Sequence, residues 1–128
     1  MRMRALKNQS FFTRLGFAWS GLAHAVRAEH SLRFHLAALI AVLIALTIFR
    51  PEPQWWAIVV LACAAVIAAE LFNTALEHLA DHLHPDIHPN IRIVKDCAAA
   101  AVLITSLAAL GVAAALAFHL VARAAAAT

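Results

Sequence analysis

Residues 70–81, read E-L-F-N-T-A-L-E-H-L-A-D, continue the apolar run of residues 55–69 with no turn signal between them. One helix through both stretches is the fold this pattern predicts. At about 100° per residue, Glu70, Asn73, Thr74, Glu77 and Asp81 fall within roughly 100° of arc. Three carboxylates, an amide and a hydroxyl therefore share one stripe, while Leu71, Phe72, Leu76 and Leu79 point elsewhere. Carboxylates in or near a bilayer are costly, and their presence marks function by default. The structural alternative, polar side chains gluing a bundle, ordinarily uses Ser, Thr, Asn or Gln, and three acids on one face exceed it.

Depth sharpens the reading. Glu70 lies about 22 Å along the helix from Trp55. The hydrocarbon core is roughly 30 Å thick, so an upright helix leaves Glu70 several Å short of the far boundary. Glu77 and Asp81 reach about 10 and 16 Å further, into headgroups and water. A site joining a lipid group to a water-soluble phosphate donor needs that gradient.

Such a helix requires a membrane, and the composition agrees. The chain has 128 residues, 64% of them hydrophobic, and a mean hydropathy of +0.81, too apolar for an ordinary soluble domain. The expected fold is an all-α membrane protein of one domain, residues 1–128. It comprises an N-terminal interfacial amphipathic helix (10–29) and three transmembrane helices (32–49, 54–83 and 96–123). Three thin spans cannot enclose an acidic stripe, so an oligomer is expected, with neighbours covering the polar face.

The start of the chain is basic, with Arg2, Arg4 and Lys7. No continuous apolar region follows before Leu36, which predicts no cleaved signal peptide. Phe11, Leu15, Trp19, Leu22 and Val26 recur at helical spacing, with Arg14, His24 and Arg27 on the polar side. Aromatic and basic residues so arranged suit a helix lying in the interface. Its polar face either simply anchors the chain or roofs a site at the wet end of the stripe. Glu29, beside Arg27, His30 and Arg33, is either a solvated charge paired with Arg33 or a site residue.

Arg50-Pro51-Glu52-Pro53 is a tight turn, and Trp55 and Trp56 mark the outer interface. Pro85 and Pro89 make a loop of residues 84–90, after which Asn90 or Asp96 can cap the last helix. Within that helix, small residues permit close approach of neighbours. Thr105, Ser106 and His119 are isolated and read as satisfied packing residues or end markers. The N-terminal segment and the 82–96 loop hold most of the Lys and Arg. Both are expected on the cytoplasmic side, with the 50–53 turn and the C-terminus outside. Net charge is +3, but the cations cluster at membrane boundaries and form no nucleic-acid stripe. Cys63 and Cys97 read as small packing residues. His78 and His82 have i,i+4 spacing that can bind zinc, with His84 and His88 following. Their face is about 100° from the acidic stripe, and interfacial polar residues are the favoured meaning.

Phosphoryl transfer mainly needs positioning and charge neutralisation. Mg²⁺ takes oxygen ligands, commonly one or two carboxylates beside phosphate and water, and Glu77 and Glu29 suit it. Glu70, the deepest carboxylate, suits a base for a lipid hydroxyl. Lys95 can meet phosphate as a point charge, and Asn73 and Asp96 can make directional hydrogen bonds. No Walker-type glycine loop is present, so an ATP site here is not a P-loop.

The pattern E-x-x-N-T-A-L-E-x-x-x-D, from Glu70 to Asp81, resembles the signature of the prokaryotic diacylglycerol kinase family. These are small trimeric membrane enzymes that also include undecaprenol kinases. K-D-C-A-A-A-A-V-L, opened by Lys95 and Asp96, resembles the family's second motif. G-F-A-W-S-G-L and E-H-S-L-R, within residues 16–33, resemble its N-terminal segment. Together they span most of residues 14–105 in the family's order.

The resemblance implies an ATP- and Mg²⁺-dependent lipid kinase of the bacterial inner membrane. It implies a homotrimer with sites between subunits and a cytoplasmic active site. Glu70 matches the catalytic base, and Glu29 and Glu77 the metal-holding carboxylates. Asn73, Asp81, Lys95 and Asp96 match positions lining the nucleotide and lipid site. Phe17 stands where a ring packs on adenine in relatives. Arg14 is the candidate for the family's nucleotide arginine, although its local spacing differs. Phe72 replaces a usual aliphatic and Ala80 a frequent valine, changes that alter packing and not mechanism.

Diacylglycerol is the first choice of substrate. Undecaprenol is the alternative, since E-H-S-L-R-F-H and the loop near residues 84–89 look like that branch. The rival of another class is a proton- or cation-carrying membrane subunit, which intramembrane carboxylates also suit. Lys95, Asp96 and Asn73 favour the kinase, because a proton path needs no phosphate-sized basic pocket.

Overall fold

The computed structural model describes residues 9–83 and 88–126. Four helices follow one another: α1 (Phe11–Ala28), α2 (His30–Phe49), α3 (Pro53–Leu83) and α4 (Pro89–Ala126). The last three are long and apolar enough to cross a bilayer. The basic residues 2, 4 and 7 and the loop residues His84 and Pro85 lie outside the described residues.

Each helix starts and stops for a local reason. Ser10 caps α1: its Oγ accepts the Thr13 N–H at 3.3 Å and lies 2.9 Å from the Thr13 hydroxyl. Glu29 breaks the chain between α1 and α2 with extended dihedrals, φ −107° and ψ 121°. Neither glycine nor proline stands there. The break is one residue long, so α2 begins at His30, two residues before the expected start. Arg50 ends α2 in the left-handed region, φ 46° and ψ 57°, its N–H bonded to Leu46 O at 3.0 Å. Pro53 then opens α3, a position where a missing N–H costs nothing.

The start of α4 corrects the expectation. The helix begins at Pro89 and not near residue 96, and neither Asn90 nor Asp96 caps it. His88 does so: its ring Nδ1 accepts the Asn90 N–H at 3.2 Å, and its carbonyl accepts the Arg92 N–H at 3.1 Å. Pro89, expected within the loop, is equally at home in a first helical turn. Helix α4 also continues past Arg123 to Ala126.

Helix α4 packs along α3, α2 packs on α3, and α1 touches both α2 and α3. A buried apolar cluster lies at the end opposite the acidic stripe. There Leu46, Val59 and Leu116 are buried together, with Trp55 and Trp56 against them. The two tryptophans thus do more than mark an interface. The ring of Trp55 is 5.3 Å from that of His119, and His119 is not isolated as expected. Its Nε2 lies 2.8 Å from Glu52 Oε2, while Arg123 reaches Glu52 Oε1 at 3.8 Å and the Phe49 and Arg50 carbonyls at 3.4 Å. The end of α4 is thereby tied to the α2–α3 turn.

At most 17% of the most apolar stretch of any span is buried inside the chain. Lipid or other copies must therefore cover the rest.

Candidate functional site

Helix α3 carries the stripe as the spacing predicted. Glu70 and Thr74 are buried, at 3% and 4% exposure, and Asn73 and Glu77 are half-buried. Phe72, off the stripe, is 72% exposed, and Ala80 at its edge is buried.

The deep end of the stripe faces α2. Glu70 Oε2 accepts a hydrogen bond from Ser31 Oγ at 3.0 Å, and Oε1 lies 3.2 Å from His35 Nε2. Thr74 Oγ1 donates to the Glu70 carbonyl at 3.0 Å, a bond back along the same helix. A buried carboxylate is tolerable only when its oxygens are paired, and here each has a partner. One turn further on, Glu77 Oε1 accepts from Asn73 Nδ2 at 3.0 Å. Asn73 Oδ1 is buried with no hydrogen-bond partner.

The wet end faces α4 and α1. Asp81 is ion-paired to Lys95 near the start of α4. Asp96 points away: it is largely exposed and meets Arg92, four residues earlier on the same helix, at 3.6 Å. From α1, the His24 ring lies 5.3 Å from the ring of His78, the residue after Glu77. That contact docks α1 against the His78 face of α3, beside the stripe.

The other expected residues are placed but not joined. Glu29 is half-buried at the α1–α2 break, and its side chain makes no capping hydrogen bond. Arg33 meets it through the backbone, N–H to Glu29 O at 3.4 Å. Phe17 is 52% exposed on α1, and Arg14 is exposed. Among the described residues no group of three or more His, Cys, Asp or Glu side chains is placed to hold a metal. The His78 ring meets α1 through His24; of the histidines at 78, 82, 84 and 88, His84 lies outside the described residues. The oxygen donors on α3, Glu77 and the unpartnered Asn73 Oδ1, nevertheless have the hard chemistry that Mg²⁺ prefers.

Ser31 and His35 are absent from the sequence-based set. They stand one turn apart at the head of an otherwise apolar span, which is the signal that could have found them. Below them, an apolar groove of about 450 Å³ runs between α2, α3 and α4, lined at its head by His35 and further along by Val42, Cys63 and Ser106. The Ser106 hydroxyl is buried without a partner, and not satisfied as expected, whereas Thr105 bonds the Ala101 and Val102 carbonyls at 3.0 Å.

Fold and site together define a small helical membrane protein whose acidic stripe joins an apolar groove to a polar end. The chain belongs to the prokaryotic diacylglycerol kinase family, whose model matches residues 16–117. Two curated relatives are similar to it. A diacylglycerol kinase of Synechocystis is 35% identical over 94 residues, 73% of this chain and 54% of the relative. An undecaprenol kinase of Bacillus subtilis is also 35% identical over 94 residues, 73% of this chain and 76% of the relative. The chain thus spans about half the length of the first relative.

Proposed function

We propose that the chain is an ATP- and Mg²⁺-dependent lipid kinase that phosphorylates a membrane alcohol, with diacylglycerol giving phosphatidic acid. The observation that carries this is Glu70: a buried carboxylate, its two oxygens held, at the head of an apolar groove, in a chain of this family. The groove suits the greasy part of a substrate, and the polar end suits a triphosphate.

Glu70 accepts the proton of the lipid hydroxyl while that oxygen forms a bond to the γ-phosphorus. The bond from the γ-phosphorus to the β–γ bridging oxygen breaks, and ADP leaves. Lys95 exchanges Asp81 for phosphate oxygens as a point charge. Asn73, Asp81 and Asp96 line the site, Phe17 packs on the base of the nucleotide, and Arg14 meets its phosphates. Glu77 and Glu29 would hold Mg²⁺, which supplies charge neutralisation on the phosphates. Since one chain leaves Glu29, Phe17 and Asp96 unjoined to the stripe, the complete site lies between subunits of a homotrimer. The membrane is the bacterial inner membrane, with the stripe's wet end cytoplasmic by the distribution of Lys and Arg.

Undecaprenol is the second reading of the substrate. The equal identity to an undecaprenol kinase, over more of that relative's length, favours it. A carrier subunit fits less well, because a proton path has no use for Lys95 held beside Asp81.

The test presents the purified chain in mixed micelles with γ-labelled ATP, Mg²⁺ and either lipid alcohol. Label in phosphatidic acid supports the first reading, and label in undecaprenyl phosphate the second. Label in neither removes both.

A further inference from the structure

The residue nearest Glu70 from another helix, besides Ser31, is His35, and no role follows for it from the family resemblance. We propose that His35 is the positioning residue of the Glu70 carboxylate, an inference that rests on the kinase reading of this site. Its Nε2 is 3.2 Å from Glu70 Oε1. An ionised carboxylate only accepts hydrogen bonds, so the ring must present Nε2–H to it.

Three observations make this more than a filled gap. First, the two carboxylate oxygens are divided between donors, with Ser31 on Oε2 and His35 on Oε1. The carboxylate plane is fixed only while both hold, because Thr74 grips the Glu70 backbone carbonyl and not its side chain. Each oxygen has two lone pairs, so one remains on each for an incoming hydroxyl. Second, an aromatic ring flanks the imidazole: that of Phe34, the preceding residue, at 5.7 Å between centroids and 73° between planes. Third, His35 also lines the apolar groove. A lipid whose tail occupies that groove brings its hydroxyl to Glu70 past the imidazole. His35 therefore fixes the direction from which the base meets the hydroxyl. Misplacing a catalytic group by about 1 Å can cost on the order of 100-fold in rate.

The test is steady-state kinetics of the full chain in mixed micelles, with the lipid alcohol that the unsubstituted chain phosphorylates. His35→Leu should lower kcat by about 10- to 100-fold while the KM values for ATP and lipid stay within about twofold. His35→Gln, which restores an N–H donor, should recover most of the loss. In a Glu70→Gln background, His35→Leu should add no further loss, because there is no longer a carboxylate to position. If His35→Leu does not fold, His35→Asn, with a donor on a stem too short to reach, takes its place in the same cycle. An unchanged kcat, a His35→Gln chain as impaired as His35→Leu, or full additivity with Glu70→Gln overturns the role while leaving the kinase reading in place. No transfer by the unsubstituted chain to either lipid removes the kinase reading and this role with it.

Discussion

Lys95 of α4 is ion-paired to Asp81 of α3, across the segment that joins the two helices. The pair closes the wet end of the acidic stripe with a cation already in place. Both side chains retain contact with solvent, at 35% and 65% exposure, so the pair adds at most about 1 kcal/mol of stability. Lys95→Met should therefore leave the melting temperature in detergent within a few degrees of the original. Its KM for ATP should rise about tenfold or more, since a charge-assisted contact to phosphate is lost. A large loss of thermal stability with an unchanged KM would make the pair a structural strut.

The opposite end of the molecule carries its own pH dependence. Glu52 has its carboxyl held below the ordinary value of 4.5, first by a backbone hydrogen bond, then by the hydrogen bond to His119, with the nearby charges of His119 and Arg123 assisting. A carboxylate with a lowered folded-state value stabilises fully above its unfolded value, and that contribution fades as pH falls through the lowered one. The melting temperature of the unsubstituted chain should thus exceed that of Glu52→Gln above pH 4.5. The two curves should converge as the pH drops below it. Parallel curves at every pH would mean that the Glu52 charge contributes nothing.

Arg50 occupies a left-handed backbone conformation that costs a non-glycine residue roughly 1–2 kcal/mol. The contact this residue makes with Arg123 uses its carbonyl, which a glycine retains. Arg50→Gly should accordingly raise stability by up to about 1 kcal/mol, after the extra entropy of a free glycine is deducted. Thermal or denaturant unfolding in detergent measures it. A loss would show that the guanidinium matters more than the turn.

The spans were legible from their length and unbroken apolarity, and the stripe from its period. Residues 55–69 are apolar on every face, and Glu70, Asn73, Thr74 and Glu77 return at helical spacing. Pro89 was ambiguous in principle, since the same ring ends one helix and begins another, and only the His88 ring bonded to Asn90 decides it. His119 with Glu52 was illegible because 67 residues separate them. Ser31 and His35 are not legible as site residues in the sequence, because a short polar turn at the head of a span also reads as an interfacial boundary. Only the position of Glu70 opposite them gives it chemical meaning. Glu29 and Asp96 show a different gap. Their roles come from resemblance, and contacts within one chain do not bring them to the stripe.

The most direct measurement is single-turnover transfer of labelled γ-phosphate to the lipid alcohol by the unsubstituted chain and by Glu70→Gln, with helix content and oligomer size checked in both. Gln keeps the shape of Glu and its partners Ser31 and His35 within reach, but it cannot take a proton. The expected result is phospholipid product from the unsubstituted chain and a rate lower by about 100-fold or more from Glu70→Gln. Equal rates from two equally folded chains would contradict the role of Glu70 as the base.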